Sequence, residues 1–307
     1  LVNAVVALGQ SSAKLSLEQD KAAVSFNRLT GQSGQFNSVI MQTTQELALA
    51  GVGAEEVSRS FASLFKNVSE FSKLGPSLQR EVAQTTALLG KLGVNADSVA
   101  KNIQIATKAL NMNVTEAANL QTRFFSLAST LGLSADQVSR DFATASKSLS
   151  ALGNSGNAAT NAFAMLQAQV KATGLEMNTI LSITDQFDKF DTGAQAVGKL
   201  NAILGGPFLS TIDMINNVDP SERLRMLAEA LDDAGKNFDT MSYFERKAVA
   251  DAAGLKDVND LAMLMSGNLA SLQAPQMDSQ SIQDMKNLSA EFNTVMNEVK
   301  QTAMALT

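Results

Sequence analysis

The sequence contains no cysteine, no histidine and no tryptophan, and it has one tyrosine, Tyr243. Without cysteine there is no disulfide framework, thiol nucleophile or zinc knuckle. Without histidine there is no Ser-His-Asp triad, no HExxH zinc site and no imidazole to change charge near neutral pH. Carboxylates, lysines, hydroxyls and Tyr243 are all that remain for catalysis. Aromatic residues make up 5% of the chain, and prolines number four in 307 residues. A core drawn from Ala, Leu, Val, Ile, Met and scattered Phe suits close helix packing better than a β-sandwich, which draws on β-branched and aromatic pairs. The shortage of proline leaves room for long helical runs.

Long apolar runs are missing too. The uncharged stretch from Ser148 to Val170 is filled with Ser, Asn, Gly and Thr and does not read as a membrane span. No basic segment followed by an apolar one marks a leader. The chain starts Leu1-Val2-Asn3 without an initiator Met, which reads as a fragment or a processed product.

The net charge of −6 is uneven. Residues 1–212 carry 15 acidic and 16 basic side chains, whereas residues 213–307 carry 15 acidic and 8 basic. Neither part offers the basic surface that binds nucleic acid through its phosphates, so no sequence-specific nucleic-acid partner is expected.

What is present is helical periodicity with regular punctuation. Residues 12–29 read as a helix with Leu15, Leu17, Ala22, Val24 and Phe26 as apolar positions, followed by a Gly31–Gly34 turn and a helix on Phe36, Ile40, Thr43 or Thr44, and Leu47. From Gly51 one pattern recurs. Gly51-Val52-Gly53-Ala54-Glu55-Glu56-Val57 resembles Gly93-Val94-Asn95-Ala96-Asp97-Ser98-Val99 and Gly132-Leu133-Ser134-Ala135-Asp136-Gln137-Val138, and more loosely Gly174-Leu175-Glu176-Met177-Asn178-Thr179-Ile180. The starts lie 42, 39 and 42 residues apart. In this pattern glycine closes one helix, a small polar residue caps the next, and an acid occupies its first turn. Four residues after each Val or Ile stand Phe61, Ile103, Phe142 and Thr184. A second helix falls between starts, on Leu78, Val82, Thr85 and Leu89, then on Ala118, Phe125, Ala128 and Leu131 after a possible cap at Thr115, then on Phe163, Leu166 and Val170. Two readings stay open: a repeat of helical hairpins, or an irregular bundle that reuses good helix-start chemistry.

Gly205-Gly206-Pro207 ends a helix. Beyond it, Asp219-Pro220-Ser221-Glu222 and Ser242…Glu245 are helix starts with cap, N1 proline or capping-box signatures, and Asp257 starts another helix. Residues 267–280 read as a linker. In the last segment Met285, Leu288, Phe292, Val295, Val299, Thr302 and Leu306 alternate spacings of three and four, an a/d seam suited to self-association. The alternative is one amphipathic helix packed on its own domain. The expected fold is all-α: an N-terminal helical pair (1–50), an array of short helical hairpins (51–205), a small acidic helical domain (206–266), the linker (267–280) and a long C-terminal coiled-coil-like helix (281–307).

Motifs with chemical meaning are few. Gly193-Ala194-Gln195-Ala196-Val197-Gly198-Lys199 matches the first seven positions of a phosphate-binding P-loop, but Leu200 stands where a magnesium-holding Ser or Thr belongs, and no strand-like stretch precedes it. Asp185, Asp188 and Asp191 fall at i, i+3 and i+6 and so share one helix face, which could hold calcium but lacks the calcium-loop pattern and reads as a solvated acidic face around Lys189. Asp232–Asn237 also misses calcium-loop spacing. Glycoside hydrolysis needs two acids in an aromatic cleft, and no pair can be named. Phe124, Phe125, Phe187, Phe190, Phe208, Phe238 and Phe244 read as core anchors. No catalytic, cofactor-binding or metal-binding residue is assigned, and no enzyme or cofactor is expected.

Phe187-Asp188-Lys189-Phe190-Asp191, then Val197-Gly198-Lys199-Leu200-Asn201-Ala202-Ile203-Leu204-Gly205-Gly206-Pro207, then Tyr243-Phe244-Glu245-Arg246-Lys247-Ala248-Val249-Ala250 and Ala253-Gly254-Leu255 resemble tail tape-measure and related tail structural proteins of large contractile-tailed bacteriophages. The Ala/Ser/Asn/Gln-rich helical units, each opened by Gly, are similar in style. The resemblance implies a virion structural protein made in the bacterial cytoplasm and housed in the tail. Such proteins lie inside the tail tube, help set its length and leave ahead of the DNA. The implied partners are further copies of the chain in a trimer- or hexamer-compatible ring, tube and baseplate hub proteins, and the host envelope on ejection. No family catalytic residue carries over. The compact repeats and Gly-rich turns suit a folded part near one end of a tail better than a stretched tape. An α-helical repeat scaffold that binds a protein partner is the alternative from another class.

Overall fold

The computed structural model describes residues 20–32, 34–152, 156–280 and 282–305, and of residues 293 and 295–305 it describes the backbone alone. Every regular element among them is a helix. They are α1 (residues 20–30), α2 (Asn37–Leu47), α3 (Ala54–Asn67), α4 (Pro76–Lys91), α5 (Ala96–Ala109), α6 (Val114–Leu131), α7 (Ala135–Ser150) and α8 (Gly156–Thr173). Then come α9 (Met177–Asp185), α10 (Phe190–Leu204), α11 (Thr211–Asn216), α12 (Pro220–Asp233), α13 (Tyr243–Ala253), α14 (Val258–Ser266) and α15 (Ile282–Ala305). Single 3₁₀ turns at Ala48–Ala50, Phe71–Lys73, Phe238–Thr240 and Leu269–Ser271 join some of them.

The recurring starts fold as their chemistry requires. Gly51, Gly93, Gly132 and Gly174 all have positive φ, between 61° and 95°, which a side chain resists. Asn95 accepts from the N–H groups of Asp97 and Ser98, and Ser134 accepts from Gln137. The N–H of Gly53 donates to the Glu56 carboxylate at 3.1 Å. At α9 the cap position is Glu176, with no side-chain cap bond, matching its looser sequence. Asn113 and Glu116 form a capping box at α6, so the cap sits two residues before Thr115. Thr115 lies inside the helix, because asparagine in extended backbone at Asn113 presents its oxygen to the Glu116 N–H. The caps of the later helices are as the sequence indicates: Asp219 for α12, Ser242 with Glu245 for α13, and Asp257 for α14.

Packing follows two lines. Helix α5 lies between α3 and α7, and α7 also packs on α9; α4 lies between α2 and α6. Sequence neighbours α3 and α4, α5 and α6, and α7 and α8 also pack on each other. Phe61, Ile103, Phe142 and Thr184 are all buried. Phe26, Phe36, Phe61, Phe65 and Phe71 form one ring cluster at the N-terminal end, with centroids 5.3 to 6.2 Å apart. Phe124, Phe142 and Phe163 form another, at 4.7 to 5.3 Å. Such pairs add roughly 0.5–1.5 kcal/mol each beyond their burial.

Buried residues from Ala22 to Met285 form one contiguous cluster. Helix α12 packs on α8 and α9, while α10 packs on α11 and α13. The segment 267–280 is more than a tether. Leu269 is buried, Leu272 and Met277 are partly buried, and Arg123 on α6 donates to the Met277 carbonyl at 3.3 Å.

Three expected core anchors are corrected. Phe190, Phe208 and Phe244 are 70%, 39% and 80% exposed, and Phe238 is only partly buried, under the Arg246 guanidinium. Phe190 and Phe244 stand in the first turn of α10 and α13, where the stripe facing the neighbouring helix has not yet begun. Phe124 and Phe187 are buried as expected, and Phe125 is partly buried.

Candidate functional site

The association seam lies on α15. Its first turns pack on α4 and on the 3₁₀ turn Ala48–Ala50. Met285 is 1% exposed there, Leu288 is half-buried and Phe292 is 44% exposed. Ser289, which the sequence did not single out, is completely buried, and its hydroxyl donates to the Ala50 carbonyl at 2.7 Å. The start of the helix therefore packs on its own body. The backbone at Val295, Val299 and Thr302 is helical, but their side chains lie outside the described ones, and Leu306 lies outside the described residues.

The P-loop-like residues sit within α10. Gly193, Ala196, Val197, Leu200 and Leu204 are buried, and Lys199 faces solvent. The Gly193 N–H bonds the Lys189 carbonyl, so it is not free to cradle a phosphate. Gly198 has open space where a Cβ would stand and no positive φ. Gly198→Ala is therefore expected to stabilise the chain by about 0.5–1 kcal/mol, through helix propensity and reduced unfolded-state entropy. A raised denaturant midpoint would show this. A lowered one would mean that a close approach requires the glycine.

The acidic triplet is rearranged as well. Helix α9 ends at Asp185 and α10 begins at Phe190, with a turn between them, so Asp185, Asp188 and Asp191 do not share a helix face. The break is at Phe187, whose ring is fully buried beside the turn. Asp188 pairs instead with Arg223 of α12. Among the described residues no group of three acidic side chains is placed to hold a metal ion. Glu56, Asp97 and Asp136 line one open groove, but each is engaged: Glu56 with the Gly53 N–H, Asp97 with Asn67, and Asp136 with Arg140 and the Asn95 N–H. None is left in the aromatic-lined setting of a glycosidase acid.

Two polar centres escaped the sequence reading. The first is Arg223, 5% exposed although charged. Its guanidinium donates to the carbonyls of Met214 (3.0 Å) and Asn217, to Thr184 (3.0 Å) and Phe187 (3.4 Å), and to the Asp188 carboxylate. It thus supplies donors at the C-terminal ends of α9 and α11; at α9 it adds to the Gln186 and Phe187 N–H groups that already bond Thr184. No signal marks it beforehand beyond an arginine beside Leu224 in an apolar turn.

The second is Asp141 on α7, 5% exposed. It accepts from Gln137 (2.7 Å) and Gln167 (3.0 Å), and nearby Asn102 donates to the Ser139 carbonyl and hydroxyl at 2.8 and 3.0 Å. Burial pushes its carboxyl above the usual range, against the opposing pull of the Gln167 and Gln137 amides. The folded state then holds this proton more tightly than the unfolded chain. The stabilisation from protonated Asp141 is complete below the ordinary Asp pKa and is lost as pH rises through the raised value. Asp141→Asn should therefore gain stability relative to the parent as pH rises from below the ordinary Asp pKa through the raised one, measured by urea midpoints. A relative loss over that range would contradict the sign.

These arrangements define an all-α protein in which buried Arg223 and Asp141 serve helix ends and helix contacts. No family model, curated protein or solved structure matches the chain. Among the described residues no helix is long and apolar enough to cross a membrane.

Proposed function

We propose that the chain is a structural protein of a phage tail, tape-measure-like, lying within the tube or at its baseplate end and associating with further copies through residues 281–306. In this reading it helps set tail length and is released during genome ejection. The observation that carries the reading is the set of stretches Phe187–Asp191, Val197–Pro207, Tyr243–Ala250 and Ala253–Leu255, which resemble tail proteins. It is supported by the want of reactive side chains: no Cys, no His, the groove carboxylates Glu56, Asp97 and Asp136 engaged, and a P-loop-like stretch lying inside a helix. The proposed partners are tube and hub proteins and, on ejection, the host envelope.

Stoichiometry tests it. Sedimentation equilibrium of the full chain is expected to give a trimer or hexamer that dissociates when residues 281–307 are removed. Association that survives the removal would discard the seam.

A second reading, a helical-hairpin scaffold for a protein partner, is favoured by one observation. Helices α3, α5, α7 and α9 pack in succession beside α2, α4 and α6, with starts about 40 residues apart, as in stacked repeats. It expects a monomer even when the terminal helix is freed from the body.

A further inference from the structure

The seam and the intramolecular contact of α15 use overlapping ridges of one helix. Met285 and Ser289 are four residues apart and stack on one ridge; Leu288 and Phe292 form the adjacent ridge. The body takes the first, burying Met285 to 1% and Ser289 completely. It leaves the second at its edge, with Leu288 half-buried and Phe292 44% exposed. The two ridges differ in chemistry. Ser289 answers the Ala50 carbonyl, a polar group that only a donor can satisfy, whereas Leu288 and Phe292 are wholly apolar. Met285 belongs to both surfaces, as the first seam position and as the residue buried against α4 and Ala48–Ala50.

We propose that α15 has two mutually exclusive seats: its own α4–Ala50 surface, and the α15 of a second copy of this chain. A second copy is the occupant because Val295, Val299, Thr302 and Leu306 continue the alternating spacing of three and four past Phe292, the a/d pattern through which helices of one sequence pair with each other. A partner helix cannot pack on Met285 while the body covers it. Assembly along the whole seam therefore requires the first turns of α15 to leave the body. Release breaks the Ser289–Ala50 bond and frees Met285 for its heptad. The segment before the helix, residues 272–280, has no regular structure, and it is held to the body by the partial burial of Leu272 and Met277 and by the Arg123–Met277 bond. Docking then holds association back until the helix is freed. This rests on the reading that the chain self-associates through α15.

The test compares the full chain with Ser289→Arg, Ser289→Ala and Phe292→Glu, using hydrogen exchange of residues 282–290 and sedimentation velocity over a concentration series. Ser289→Arg cannot fit the closed seat but stands beside the seam, where coiled coils tolerate arginine. It is expected to speed exchange and to lower the association midpoint by about tenfold, the size of change expected from losing a buried hydrogen bond and its packing. Ser289→Ala, which only removes the hydroxyl, is expected to act in the same direction with smaller effect, and covers the case in which the arginine variant misfolds. Phe292→Glu is expected to weaken association and leave exchange unchanged. Faster exchange in the Ser289 variants with an unchanged or raised midpoint would overturn the proposal while leaving self-association standing. A chain that stays monomeric in the parent and in every Ser289 variant would overturn self-association itself.

Discussion

Arg223→Ala is expected to lower stability by about 3–4 kcal/mol, read as a shift in urea midpoint. The side chain is 5% exposed and serves the carbonyls of Thr184, Phe187, Met214 and Asn217. Removing it leaves the Met214, Asn217 and Phe187 carbonyls without this donor, at about 1–3 kcal/mol for each one that water does not reach, while Thr184 keeps the Phe187 N–H. Its carboxylate partner is a different matter, because the Asp188 side chain is 58% exposed. An ion pair with one solvated member contributes at most about 1 kcal/mol, so Asp188→Asn should cost far less. Arg223→Lys keeps the charge but not the planar fork that reaches several carbonyls at once, and should recover only a small part of the loss. If Asp188→Asn proved as damaging as Arg223→Ala, the clasp would be ionic and the carbonyl account wrong.

Phe142→Ala should cost about 3–5 kcal/mol, as large-to-small changes in closed cores do. Its ring is completely buried, 4.7 Å from that of Phe124 and 5.3 Å from that of Phe163, and it joins α7 to α6 and α8. Phe244→Ala provides the contrast. That ring is 80% exposed beside Tyr243, and its removal should change stability by less than about 0.5 kcal/mol. Phe244 reads as a core anchor from its residue type, whereas Phe142 is marked in the sequence only by its place in the repeat. Equal costs in thermal or denaturant unfolding would show that the ring at Phe244 is buried in the folded chain after all.

The contrast between those two phenylalanines shows how far a sequence reaches. Phe142 recurs at a fixed offset from a helix start, in register with Phe61 and Ile103, and all three are buried. Phe244 shares only its residue type. Register carries information because a helical stripe faces one way over several turns, whereas composition says nothing about which first turn has a neighbour. The same distinction separates the start glycines, legible because positive φ selects glycine, from the triplet Asp185, Asp188 and Asp191, whose i, i+3 spacing suggested one face across a turn.

The sequence alone determined the all-helical class, most helix starts and the want of reactive side chains, since caps, breakers and periodicity act within a few residues of themselves. Tertiary structure decided what joins distant parts of the chain: Arg223 reaching Thr184, Gln167 reaching Asp141, and Ser289 reaching Ala50 across 239 positions. Those choices depend on which polar groups are left without partners once the helices pack. No local pattern encodes that, because each unpaired carbonyl and buried carboxylate is created by an element far away in the sequence.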